Sequence, residues 1–209
     1  MSDLERVLDV LLHDLRSPLG VAGGYLRLLR DQRLPSPEEA ERAIVKTQDA
    51  LRRMSALCAE AGAWLEPAPP APGPAVAAGD VVAGVAALME TPGLAVGPAA
   101  GALAGRVVRV PDLDRIAGAV AALLTAVAQP LGGRCAVHVD GDVLRFAVTG
   151  TSRPARETAE VLDPWAYPGL ATALACRTIA GAAGRCDGGR AAGEALRVAF
   201  DLEAAAGSS

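Results

Sequence analysis

The sequence predicts an α+β protein: an N-terminal antiparallel helical hairpin forming a dimeric four-helix bundle, followed by an α/β sandwich. Three observations predict it. Apolar residues recur at alternating steps of four and three through the first 65 residues; a proline- and alanine-rich run follows at 66–79; beyond it, apolar runs alternate between strand length and helix length up to residue 203.

The first helix carries Leu4, Leu8, Leu11, Leu15, Pro18, Ala22, Tyr25 and Leu29 along one seam, and Leu12, Leu19 and Leu26 widen it as a bundle helix requires. Gln32-Arg33-Leu34-Pro35 breaks this pattern. Ser36-Pro37-Glu38-Glu39 then restarts a helix, with Ser36 as N-cap, Pro37 in the first helical position and Glu39 closing a capping box. The second seam reads Ala40, Ile44, Thr47, Leu51, Met54, Cys58 and Ala61. So short a connection makes the helices antiparallel neighbours. One hairpin cannot cover two stripes of this width, so a second copy is expected.

Residues 66–79 hold too many prolines for helix or ladder and read as a linker between the hairpin (1–65) and the domain at 80–203. In that domain the expected elements are a helix near Asp80 to Glu90, a strand at Arg106 to Val110 and a helix from Asp112 to Ala128. Strands at Cys135 to Val139 and Val143 to Val148 follow, joined by Asp140-Gly141-Asp142, then a helix from about Gly169 to Ala182 and a strand near Leu196 to Leu202. The Asp-Gly turn makes the middle pair a hairpin, so the sheet is mixed. Residues 204–209 read as a disordered tail.

Composition excludes several classes. With 20 Lys+Arg against 24 Asp+Glu there is no basic surplus for nucleic acid. The longest apolar run, Ile116 to Ala128, is too short to span a bilayer. The opening Met-Ser-Asp-Leu-Glu-Arg lacks the order of a secretion signal, so the expected location is the cytoplasm. Cys58, Cys135, Cys176 and Cys186 show no metal-ligand spacing and read as reduced thiols.

The residue with most chemical promise is His13. At about 100° per residue it projects opposite the Leu4/Leu8/Leu11/Leu15 stripe, on a face shared with Arg6, Asp9, Arg16, Ser17, Gly20 and Gly24. An exposed imidazole, with an ordinary pKa near about 6.5, keeps a lone pair for attack on a phosphoryl group. Asp14 can accept from its other ring nitrogen and fix the tautomer. Ser17 lies one turn on. Pro18 has no N–H for the Asp14 carbonyl, so a bend near the histidine is expected. Gly23 and Gly24 each cost about 1 kcal/mol against alanine mid-helix, a cost that makes sense if another backbone approaches there. His138, flanked by valines in an expected strand, reads as structural.

The string His13-Asp14-Leu15-Arg16-Ser17-Pro18-Leu19 resembles the H-box of histidine kinases, and the order of elements after Asp80 is similar to their ATP-binding domain. The resemblance implies that His13 is the phosphoacceptor, that Asp14 assists proton transfer, and that Ser17 stands where such proteins dephosphorylate a partner; Arg16, Gly20 and Gly24 would form the docking face. The second half departs from the family wherever nucleotide would be touched. Ala122 and Ala126 stand where asparagines hold Mg²⁺ and phosphate. Thr149-Gly150-Thr151-Ser152-Arg153-Pro154 replaces an Asp-x-Gly-x-Gly, and Pro168-Gly169-Leu170-Ala171-Thr172-Ala173-Leu174 keeps one glycine of the lid; the chain contains no asparagine.

The resemblance therefore points to a histidine phosphotransferase of the ChpT type, passing phosphoryl groups between aspartates of response-regulator receiver domains. Such a protein needs no cofactor of its own, the Mg²⁺ arriving with the receiver; a hybrid histidine kinase is a further candidate partner, and neither nucleic acid nor membrane is expected. The alternatives are a non-catalytic dimeric module regulating a kinase or response regulator, a response-regulator phosphatase and, last, a remnant kinase.

Overall fold

A computed structural model of the chain describes residues 3–66, 73–89, 93–97, 99–149, 170–188 and 194–205. The chain divides into two compact units, with the boundary after Glu66.

The first unit is the expected hairpin of α1 (Asp3–Arg30) and α2 (Pro37–Leu65). α1 ends in a Schellman arrangement: Gln32 takes φ 51 and donates its N–H to Leu29 O, and Arg33 N–H reaches Leu28 O at 3.0 Å. α2 starts where the capping residues place it, with Ser36 Oγ accepting from Glu39 N–H at 3.3 Å. α1 packs on α2 through Val7, Pro18 and Ala22, with Leu11, Leu15, Tyr25 and Leu29 half-buried alongside.

The α2 seam is set differently from the expected one. The buried residues are Ala43, Thr47, Ala50, Leu57 and Ala61, with Met54 half-buried between them, so the steps run four, three, four, three, four. Ile44, Leu51 and Cys58 stand one position round the helix on an exposed face, continued by Leu65. The reason is that α2 carries two apolar stripes, and the one with smaller side chains lets α1 approach closely. Buried Thr47 satisfies its hydroxyl by donating to Ala43 O at 2.8 Å. On α1, Leu4, Leu8, Leu12, Leu19 and Leu26 are 47–62% exposed.

The second unit begins earlier than expected. Within the run read as linker, β1 (Ala75–Ala77) and the first turn of α3 (Ala78–Leu88) are already formed. Pro74 donates nothing, but its carbonyl accepts from Val110 N–H at 3.1 Å, so the proline is tolerated at the strand's start. Next come β2 (Leu94–Ala95), α4 (Ala99–Ala102), β3 (Arg106–Arg109), α5 (Leu113–Leu131), β4 (Arg134–Asp140) and β5 (Val143–Thr149). α6 (Leu170–Gly181), β6 (Arg185–Gly188), β7 (Glu194–Asp201) and β8 (Glu203–Ala204) complete the unit. Five strands form a mixed sheet in the order β2-β4-β5-β7-β6, with β2 parallel to β4 and the other neighbours antiparallel. β1, β3 and β8 form a small antiparallel sheet, which corrects the expectation of a tail from 204: Ala204 pairs with Arg106, and Ala205 N–H reaches Gly105 O at 2.9 Å.

Asp112 caps α5 by accepting from Arg115 N–H at 3.0 Å, and Gly132 closes the helix at φ 64. α5 then lays Ile116, Val120, Leu123, Leu124 and Val127 into the core with Val81 and Val85 of α3 and Leu144, Phe146, Val198 and Phe200 of the sheet. Phe146 and Phe200 meet edge to face at 6.4 Å. Asp140 pairs with Val143, leaving Gly141 (φ 58) and Asp142 as the two-residue turn.

The turn from α6 into β6 is tightly packed against this core. Ala183 takes φ 55, and a Cβ on Gly184 would stand 2.6 Å from both Ile179 Cγ2 and Phe200 Cε1. We expect Gly184→Ala to destabilise the protein by about 1–3 kcal/mol through overpacking, read as a lower denaturant midpoint. A midpoint unchanged within error would show that the core has slack there.

Candidate functional site

His13 sits on the exposed face of α1, its side chain 79% accessible. Its Nδ1 lies 3.1 Å from Asp14 Oδ1. In the tautomer with the proton on Nδ1, that N–H donates to the carboxylate and Nε2 keeps its lone pair free of the hydrogen bond. Asp14 reaches this position because it stands at the hairpin side of His13, where its side chain is only 23% accessible.

α1 runs unbroken through the expected bend at Pro18, whose ring is buried. Pro18 still offers no N–H to the Asp14 carbonyl. Ser17, Gly20 and Gly24 follow His13 at steps of four, three and four, so they descend the same face over about 16 Å. Ser17, Arg16 and both glycines are exposed. A Cβ on Gly20, Gly23 or Gly24 would meet nothing within 4 Å, so no part of the hairpin requires glycine here. The helix backbone is instead left bare to whatever approaches. The face continues into an open groove of about 490 Å³ lined by Gly20, Gly24, Tyr25, Leu28, Arg27 and Arg33, among others.

One participant is absent from the sequence reading. Glu60 of α2, 22% accessible, makes an ion pair with Arg53 at 3.7 Å, and its Oε2 is buried without a hydrogen-bond partner. Burial pushes its carboxyl above the ordinary carboxylate range; Arg53 opposes this, and the nearby charge of Asp14 adds to it. The hairpin thus brings Glu60 near Asp14, the carboxylate that pairs with His13. The available signal was the flank position of Glu60 next to seam residues Leu57 and Ala61, which matters only once the pairing of the helices is known.

In the second unit, Ala122 is exposed and Ala126 half-buried on α5, each offering a methyl group alone. The departures at residues 150–154 and at Pro168 and Gly169 lie outside the described residues. His138 is half-buried in β4 opposite Arg145. Among the described residues no three His, Cys, Asp or Glu side chains cluster as a metal site, and no helix is long and apolar enough to cross a membrane.

Residues 3–61 match the family model of the His Kinase A (phospho-acceptor) domain. No curated protein matches the chain. Among solved structures, the Acinetobacter baumannii histidine kinase AdeS is similar with a TM-score of 0.58 at 16% identity, covering 94% of this chain and 98% of that one. A bacterial phosphotransferase aligns over 96% of this chain and 98% of its own at 16% identity, with a TM-score of 0.44. The hairpin is thus placed with the phosphoacceptor domains of two-component signalling, and the fold is histidine kinase-like.

Burying a carboxyl favours its protonated form, so the folded hairpin holds the Glu60 proton to higher pH than the unfolded chain does. Stability from this group is full below the ordinary glutamate pKa and is lost as pH rises through the raised folded value. Glu60→Gln should therefore raise the thermal midpoint at neutral pH and flatten its decline from pH 4.5 upward. An unchanged midpoint and slope would show that Arg53 offsets the burial in full.

Proposed function

We propose that this chain is a dimeric histidine phosphotransfer protein of a two-component phosphorelay, carrying phosphoryl groups between receiver-domain aspartates on His13 without binding ATP. The observation that carries the reading is the setting of His13, exposed at 79% with Nδ1 tied to Asp14, in a hairpin that matches a phosphoacceptor domain.

In this reading Nε2 attacks the phosphorus of an aspartyl phosphate. The N–P bond forms as the P–O bond to the aspartate breaks, and Asp14 stabilises the proton left on Nδ1. The receiver brings the aspartate and Mg²⁺, so this protein supplies position and a nucleophile. The bare backbone at Gly20 and Gly24, with Arg16 at the edge, gives the receiver a surface to approach. Ala122 and Ala126 offer no oxygen to Mg²⁺ or phosphate, which speaks against a kinase cycle.

Dimerisation follows from the exposed stripes. Leu12, Leu19 and Leu26 on α1 repeat at sevens, as do Ile44 and Leu51 on α2 with Leu65 two sevens further on, and all are 47–64% exposed. Covering the exposed half of each contributes on the order of 1 kcal/mol, and a symmetric interface counts every one twice, a gain comparable to the association cost of about 4–15 kcal/mol. Sedimentation of the full chain at micromolar concentration should give two copies per particle, and Leu19→Glu should shift it to one. A wild-type monomer would rule out the bundle.

Incubation with a phosphorylated cognate receiver should place acid-labile label on the wild-type protein and none on His13→Ala, with complex formation changed only a few-fold. Asp14→Ala should slow transfer by about 10²-fold, the scale of a lost acid-base partner. Ser17→Ala should leave forward transfer intact. Label persisting on His13→Ala, or receiver dephosphorylation unaffected by that substitution, would replace phosphotransfer with a binding or phosphatase role on the same face.

A further inference from the structure

The foot of the His13 face carries charges that the hairpin itself does not use. Arg27 and Arg30 stand in the last turn of α1, with Asp31 and Arg33 just beyond it. Arg30 Nε donates to Asp31 Oδ1 at 2.8 Å, which leaves the second carboxylate oxygen open on a side chain 34% accessible. Arg27 and Arg33 are exposed, and among the described residues neither guanidinium has a hydrogen bond or an ion pair. The helix dipole accounts for Arg27, since a cation is favoured at a helix C-terminus. It does not account for Asp31, which has the wrong sign there.

These side chains line the open groove of about 490 Å³, a volume within the range of about 300–1,000 Å³ that small-molecule sites occupy. Gly20, Gly24, Arg27 and Asp31 follow one another at steps of four, three and four, and Val21, Tyr25 and Leu28 run beside them at four and three. The groove therefore tracks the helix for about 16 Å, apolar at the Gly20 end and charged at the Asp31 end.

We propose that this groove binds a guanine nucleotide carrying a diphosphate. Each part of the lining has a counterpart in that ligand. Bare backbone at Gly20 and Gly24 beside Val21, Tyr25 and Leu28 suits a planar ring. The open oxygen of Asp31 can accept from adjacent N–H donors; guanine presents two on one edge, whereas adenine sets a ring acceptor beside its amino group. The two unpaired guanidiniums supply forked donors for phosphate oxygens. An anionic lipid fits less well, because its chain would lie in a trough open to water and Asp31 would repel its headgroup. An acidic peptide has no donor for Asp31 in its side chains and meets the same repulsion. The site stands on the hairpin, apart from Ala122 and Ala126 of the second unit. One consequence rests on the phosphotransfer reading: a nucleotide lying over Gly20 and Gly24 covers backbone that the receiver approaches, so its binding slows transfer through His13.

Calorimetry of the full chain with GDP, ADP and inorganic pyrophosphate, in the absence of any receiver, tests the site. GDP should bind saturably and at least about tenfold more tightly than either ADP or pyrophosphate, the discrimination expected where a polar group is left unmatched. Arg27→Ala combined with Arg33→Ala should weaken GDP by at least about tenfold. Asp31→Asn should erase the preference for GDP over ADP. All three positions are exposed, and the backbone N–H of Arg33 that closes α1 survives substitution, so an unchanged circular dichroism spectrum is expected for each variant. A flat GDP titration, equal affinity for GDP and ADP, or undiminished GDP binding by the double variant would each overturn the proposal. With a phosphorylated receiver present, saturating GDP should slow labelling of the wild-type chain by at least about tenfold, and transfer undiminished with GDP bound would overturn the competition. Absence of transfer in every arm would count against the phosphotransfer reading alone, since the calorimetry does not depend on it.

Discussion

The rotational setting of α1 against α2 governs everything else in the hairpin. It is fixed by a seam of small side chains, Ala22 on one helix and Ala43, Ala50 and Ala61 on the other, punctuated by Val7 and Leu57. Alanines let the helix axes come close, and the larger residues between them permit a single register. Once α1 is held by Val7, Pro18 and Ala22, the other faces have no freedom. Leucines 8, 12, 19 and 26 point to one side, and His13, Ser17, Gly20 and Gly24 to another. Separating the apolar stripe from the histidine face leaves the imidazole accessible in any assembly that covers the leucines.

The same setting also decides the electrostatics of the carboxyls near Asp14. Asp14 lies on the hairpin side of the histidine, where Glu60 of α2 is also partly buried. Burial is the main penalty on the Glu60 carboxyl, and the charge of Asp14 is a smaller one. Asp14 has the imidazole as partner, and Glu60 has a long ion pair to Arg53 and one orphaned oxygen. The burden falls on Glu60, whose proton is held more tightly.

The second unit holds its architecture through α5, which buries a continuous apolar face against sheet and α3 and is capped at both ends. None of that packing depends on the residues that would bind nucleotide. Alanines 122 and 126 stand outside the deepest core, so exchanging polar side chains for methyl groups there costs the fold little.

The sequence by itself determined the features that are local or periodic. Ser36 and Asp112 mark helix starts because an N-cap acts within one turn, Gly141 marks the β4–β5 turn because the backbone there takes a positive φ, and His13 points outward because helical periodicity places it opposite the leucines. Tertiary structure alone decided which of two adjacent stripes on α2 meets α1, because both are apolar and only the packing of small against large side chains distinguishes them. It also decided the nearness of Glu60 to Asp14 and the pairing of β1 and β8 with β3. Strands of two or three residues have no measurable period, and contacts between distant segments leave no trace in local spacing, so these features come into being only when the chain has folded.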